Sequence, residues 1–469
     1  MKVEQIYTGC LAHGAYYIQS GNEAVIIDPL RETAPYIEKA AQDGVKIKYV
    51  LETHFHADFV SGHLDLARET GATIVFGPNA KPSFDAYIAA DGEELIIGNA
   101  VIKVLHTPGH TMESTTFLLK DETGKDYAIF TGDTLFIGDV GRPDLAVKTD
   151  LTREDLAGHL YDSLMNKIMP LSDEVIVYPG HGAGSACGKN MSKETFATLG
   201  NQKIHNYALQ PMTKEEFSKE VTTGLVTPPA YFPMNVKLNK EGYQSFESIK
   251  GRGLTKLSAE AFELLAEENH AVVIDTRTAA DFAKGFVPGS INIGIDGSFA
   301  PWAGALFPDA KQAILIVADE GQEEEVITRL SRVGLDQILG YLNNGIKAWK
   351  AAEKEVDMVE QIDAETLHQL QQKENIHILD VRKNSEYLSE HLDGAENLPL
   401  DNINSNFIKI NASEKHYVHC AGGYRSMIYI SILKARGYHN LVDVKEGFKA
   451  IKDLGKFNVS EYVCPSTLL

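Results

Sequence analysis

One short pattern occurs twice in the C-terminal half of this chain. Ala271-Val-Val-Ile-Asp-Thr-Arg277 matches Ile376-His-Ile-Leu-Asp-Val-Arg382 at an offset of 105 residues. Pro288-Gly-Ser-Ile-Asn292 matches Asp393-Gly-Ala-Glu-Asn397 at the same offset, and Asn344-Gly-Ile-Lys-Ala348 matches Glu446-Gly-Phe-Lys-Ala450 at 102. Self-similarity at a fixed spacing implies one fold built twice, here in copies of about 100 residues. Each copy alternates apolar strand-like runs with helical spacing, which calls for a parallel sheet with helices on both faces.

The N-terminal half follows another rhythm. Strand signals fall at 24–28, 47–51, 73–76, 94–97, 101–106, 115–119, 127–131 and 174–178, and helical spacing covers 34–43, 60–70 and 153–168. Many strands with helices before, between and after them suggest sheets sandwiched between helices. From 211 to 253 the pattern breaks down around Pro228, Pro229 and Pro233, which reads as a domain tail and linker. The expected organisation is three α/β domains over 1–245, 246–355 and 356–469.

With 44 Lys plus Arg against 65 Asp plus Glu, the net charge is −21. That argues against nucleic acid or a membrane surface as partner, while a small anion in a local pocket stays possible. Four cysteines in 469 residues cannot form a disulfide framework. They read as reduced thiols, so a cytoplasmic location is expected. Lys2 and Glu4 stand where a signal peptide needs an apolar core, and no run approaches the length of a membrane span.

The first chemical motif is Thr53-His-Phe-His-Ala-Asp-Phe59, directly after a strand signal. His110 in Thr107-Pro-Gly-His, Asp133 in Thr131-Gly-Asp and His181 in Tyr178-Pro-Gly-His end later strand signals, each beside a glycine that permits a tight turn. Imidazoles with carboxylates at strand ends form a ligand set for a first-row transition metal.

These clusters, over roughly 1–245, resemble the metallo-β-lactamase superfamily, whose αββα sandwich is therefore expected here. Where dinuclear members have the last His of the first motif, this chain has Phe59, which cannot bind metal, so a two-metal hydrolase is disfavoured. Two His and one carboxylate with open positions make the facial triad of non-haem Fe(II) oxygenases. Cys10-Leu-Ala-His13, Gly138-Asp-Val-Gly-Arg-Pro-Asp144 and His181-Gly-Ala-Gly-Ser-Ala-Cys187-Gly resemble motifs of the persulfide dioxygenases. That resemblance implies one Fe(II) per chain on His54, His110 and Asp133, with His56, Asp58 and His181 orienting ligands or ordering water. Arg142 and Asp144 would bind charged groups of a thiol carrier at the pocket mouth. Cys187 is either a small buried hydrophobe or a thiol that holds sulfur near the iron.

The second motif is Tyr417-Val-His-Cys-Ala-Gly-Gly-Tyr-Arg-Ser426. A strand ends at Cys420 and a helix begins near Arg425, so backbone N–H groups and the helix N-terminus would stabilise a Cys420 thiolate, with Arg425 adding charge. Ala421, Gly422, Gly423, Tyr424 and Ser426 complete a loop able to wrap an anion. It resembles the rhodanese loop, which carries sulfur as a cysteine persulfide; the resemblance covers about 360–455. In the first copy Ala318 stands where Cys420 does and Glu323 where Arg425 does, so 255–355 is read as an inactive rhodanese. Asp275/Arg277 and Asp380/Arg382 occur in both copies, which points to a structural role.

Together the resemblances imply a persulfide dioxygenase fused to two rhodanese domains, acting in sulfide detoxification. A small thiol persulfide and O2 would give sulfite and thiol, and Cys420 would pass sulfur to or from thiosulfate. A homodimer or homotetramer is implied. The alternatives are a thioester hydrolase like glyoxalase II, needing a metal-bound hydroxide, and a sulfurtransferase or scaffold with a vestigial metal site.

Overall fold

The computed structural model describes residues 1–146 and 151–464. It divides into two compact units: residues 1–248 with 306–310 and 330–335, and the remainder.

The first unit holds two six-stranded sheets. One runs Lys2–Thr8, His13–Ser20, Glu23–Ile27, Lys46–Glu52, Thr73–Phe76, Tyr87–Ile88. The other runs Ala197–Thr198, Ile176–Pro179, Asp126–Gly132, Thr115–Lys120, Ala100–His106, Glu94–Ile97. Their strands alternate side chains between faces, and one face of each meets the other sheet. Tyr16, Ile18, Val25 and Leu51 thereby bury against Val104, Phe117, Leu119 and Phe130. The outer face of the first sheet packs through Tyr17, Ile26 and Val50 on Tyr36 and Ala40 of helix Ala34–Asp43. The outer face of the second is covered by Ala157, Leu160 and Leu164 and by Phe217 and Val221. This is an αββα sandwich.

The segment read as a linker is helical. Lys214–Thr222, Phe232–Glu241 and Phe246–Gly253 are helices. A capping box between Thr213 and Glu216 starts the first. Pro233 lies in the first turn of the second, where its missing N–H costs nothing, so it opens the helix it was taken to interrupt. The helix expected from residue 60 begins at His63.

The second unit holds two five-stranded sheets, all parallel. Their orders are Lys256–Leu257, Ile338–Leu342, Ile314–Val317, Val272–Asp275, Ile291–Asn292 and Glu360–Ile362, Leu441–Val444, His416–His419, His377–Asp380, Ala395–Asn397. Both copies close the same buried pair: Arg277 on Asp275 at 2.5 Å and Arg382 on Asp380 at 2.6 Å. Each arginine also donates to a carbonyl, of Gly285 or Glu390. No helix among the described residues is long and apolar enough to cross a membrane.

His63 is fully buried, and burial first, then the Arg31 and His56 charges, holds it at about 3. It stays neutral in the fold while the unfolded chain protonates it below its ordinary value of 6.5. Its contribution is therefore complete above that pH and lost as acid is added toward 3. The loss between pH 6.5 and 4 is on the order of 3 kcal/mol. Thermal melts of His63→Gln should fall less steeply over this window than those of the parent; parallel curves would contradict it.

Candidate metal centre and sulfur-transfer loop

His54 leaves the end of strand Lys46–Glu52. Its Nδ1 lies 3.0 Å from Thr53 Oγ1, and that hydroxyl donates to Asp28 Oδ2 at 2.7 Å. A hydroxyl has one proton, so Thr53 accepts from His54 Nδ1–H and leaves the Nε2 lone pair unshared. His110 does the same through the Arg142 carbonyl, 2.9 Å from its Nδ1. The two Nε2 atoms stand 3.9 and 3.5 Å from Asp133 Oδ2. Burial first, then the neighbouring histidine charges, holds His54 well below its ordinary value, which keeps it a neutral ligand. Among the described residues, neither Asp133 oxygen has a hydrogen-bond partner. A side chain at Gly141 would overlap the Asp133 carbonyl, so this approach requires glycine.

His54, His110 and Asp133 therefore come together, their ligand atoms within 4.8 Å of one another. His56, Asp58 and His181 form a second buried group of the same kind, and Asp133, His181 and Cys187 a third. His181 Nε2 lies 3.3 Å from Asp58 Oδ2 and 3.6 Å from Asp133 Oδ1. Burial opposes ionisation of Asp58, yet the His181 and His56 charges hold it at about 2. Phe59, fully buried, packs its ring between His13 and His56 at 4.2 and 4.3 Å. Cys187 is buried, and burial together with Asp58 and Asp133 pushes its thiol up to about 12.

Arg142, expected to bind charged groups of a thiol carrier, is 3% exposed. It grips Asp144 through Nε and Nη2, both at 2.7 Å, and donates to the Val226 and Ala186 carbonyls. Its guanidinium is thus spent inside the protein, while its carbonyl sets His110. A fourth group, Asp28, Glu52 and His56, escaped the sequence reading. Its signal was the position of Asp28 at a strand end beside Pro29.

In the second unit, Cys420 follows strand His416–His419 and precedes helix Tyr424–Ala435. Gly423 N–H donates to Sγ at 3.1 Å, and Sγ lies 3.7 Å from Ser426 Oγ. Gly423 takes φ +95, the left-handed region that favours glycine. Arg425 reaches Glu386 at 2.5 and 2.9 Å, so part of its charge is already balanced. Tyr424 donates to the Gly294 carbonyl of the first copy at 2.7 Å. A cavity of about 660 Å³ runs along Gly422, Gly423 and Tyr424. In the first copy, Glu323 accepts from Gly321 N–H at 2.8 Å, and Ala318 offers no sulfur.

The family model described as "Metallo-beta-lactamase superfamily" matches residues 8–181. The model "Rhodanese-like domain" matches 258–352 and 363–454. Hydroxyacylglutathione hydrolase GloC of Haemophilus influenzae is 31% identical over 195 residues, 37% of this chain and 86% of that protein. The chain belongs to the metallo-beta-lactamase superfamily and carries two rhodanese-like domains. Human mitochondrial persulfide dioxygenase ETHE1 is 32% identical over 166 residues, covering 35% of this chain and 60% of that protein. A crystal structure of a metallo-beta-lactamase from Staphylococcus aureus is 30% identical with a TM-score of 0.64, covering 73% of this chain and 98% of that one. Several other hydroxyacylglutathione hydrolases are matched over 60–66% of their length.

Proposed function

We propose that this chain oxidises a small thiol persulfide with O2 and exchanges sulfane sulfur through Cys420. The observation that carries the first half is the convergence of two histidine Nε2 atoms and one carboxylate that has no hydrogen-bond partner among the described residues, beside Phe59. That donor set fits Fe(II) held on one face. His54, His110 and Asp133 would hold it, and bound there it would let electrons pass from a sulfur anion to O2. Around it the protein works by position. Thr53 and Arg142 fix the two imidazoles through Nδ1, and Phe59 seals the side where another ligand would stand. In balance, RSSH + O2 + H2O gives RSH + SO3(2−) + 2 H+: the terminal sulfur loses four electrons to O2, takes its third oxygen from water and leaves as sulfite, and the S–S bond breaks to release the carrier as thiol.

The second half follows from the loop. Attack of the Cys420 thiolate on the sulfane sulfur of thiosulfate forms a Cys–S–S bond, breaks the S–S bond of thiosulfate and releases sulfite. In reverse, sulfite takes the sulfur from the persulfide and frees the thiolate. Gly423 N–H faces the Cys420 sulfur.

Two substrates of one carrier test the first half. Iron-loaded full chain should release sulfite from glutathione persulfide only in the presence of O2, and leave a glutathione thioester intact. Thioester cleavage without O2 consumption would favour the hydrolase reading instead. Phe59→His should raise bound metal from one toward two per chain by elemental analysis. An unchanged content would mean that Phe59 does not restrict the site.

A further inference from the structure

Strand Leu441–Val444 is buried along its whole length, yet its third residue is Asp443. A buried carboxylate is costly without partners, and Asp443 has two. Ser426 Oγ donates to Oδ1 at 2.7 Å, and the Gln361 amide donates to Oδ2 at 2.8 Å. Ser426 Oγ is in turn 3.7 Å from Cys420 Sγ. Cys420, Ser426 and Asp443 are all buried.

The inactive copy serves as an internal control. Asp443 pairs with Val418 in its sheet as Tyr341 pairs with Ile316, so the two positions correspond at an offset of 102. At the same offset Ser426 becomes Glu324 and Cys420 becomes Ala318. The Asp-x-Arg pair survives in both copies, whereas thiol, hydroxyl and buried carboxylate occur together or not at all.

We infer that Cys420 and Asp443 share one proton through Ser426, which makes Asp443 a positioning residue of the sulfur-transfer site. The serine has a single proton to give. With Asp443 ionised, Ser426 donates to the carboxylate and its oxygen accepts the S–H. When the thiol gives that proton to Ser426 Oγ, the serine's own proton passes to Asp443, and Ser426 then donates to the thiolate. Cys420 loses one proton, Asp443 gains one, and the serine is unchanged. The other charges around the pair are Arg425 with Glu386 and Asp401 on the sulfur side, His419 with Asp380 and Arg382 on the strand, and Lys445 beside Asp443. The variants below leave all of them in place.

This rests on Cys420 being the sulfur carrier, but alkylation tests it without turnover. Iodoacetamide modification of Cys420 in the full chain is followed by peptide mass spectrometry at pH 7. In Asp443→Asn the amide can donate to Ser426 and turn the serine proton onto sulfur, so alkylation should be faster by at least about threefold. In a Ser426→Ala background the same change should give no gain, because the link is gone. An unchanged or slower Asp443→Asn, or an equal gain without the serine, overturns the inference. Should Asp443→Asn fail to fold, Gln361→Leu removes the other donor on the carboxylate. It should also speed alkylation; no gain there overturns the inference. Absence of thiosulfate sulfur transfer in the parent protein would sink the carrier reading while leaving these rates to be compared.

Discussion

Asp133→Ala should cut O2 consumption by at least about 100-fold while leaving thiosulfate:cyanide sulfur transfer at its parent level. Losing a group that merely orients a ligand typically costs 10–100-fold in affinity or activity, and Asp133 is placed to bind directly. Among the described residues its two oxygens make no hydrogen bond, and besides the two ligand histidines Oδ1 faces His181 Nε2 at 3.6 Å, so its removal takes away the centre and little else. His54 and His110 keep their Nδ1 hydrogen bonds to Thr53 and Arg142, so the pocket should persist. Bound iron should fall with the oxygen uptake. Full uptake with iron retained would exclude Asp133 as a ligand. The sulfur-transfer loop shares no residue with this group, which is why its activity should be indifferent.

Cys420→Ser should act in the opposite sense. A serine hydroxyl at 420 can still accept from Gly423 N–H, so the loop should close. It is not a nucleophile at neutral pH, so sulfur transfer should fall by about 10⁴-fold or more. Oxygen uptake and sulfite release from a thiol persulfide should continue at the parent rate, and thiosulfate should no longer form. Loss of both activities would mean that the two halves depend on one another.

The sequence spoke clearly wherever one local rule sufficed. The repeat located two parallel sheets because its matching residues are strand ends and turn glycines, which tolerate little change. Strand ends carrying His54, His110, Asp133 and His181 were visible because a polar residue after an apolar run marks the carboxyl edge of a sheet. Long-range partners were not. Glu386 lies 39 residues before Arg425, and nothing local marks it as that arginine's partner. Arg142 was read as a substrate-binding residue, but the carbonyls that absorb it come from residues 186 and 226. The helices after residue 213 were hidden by prolines read as breakers. Pro233 sits in the one turn of a helix that accepts it.

Oxygen stoichiometry tests the central claim most directly. Iron-loaded Cys420→Ser protein, which cannot divert sulfite into thiosulfate, is given a limiting amount of thiol persulfide in an oxygen electrode. One O2 consumed and one sulfite released per persulfide is the result this account predicts. Persulfide left intact with the O2 level unchanged would contradict it.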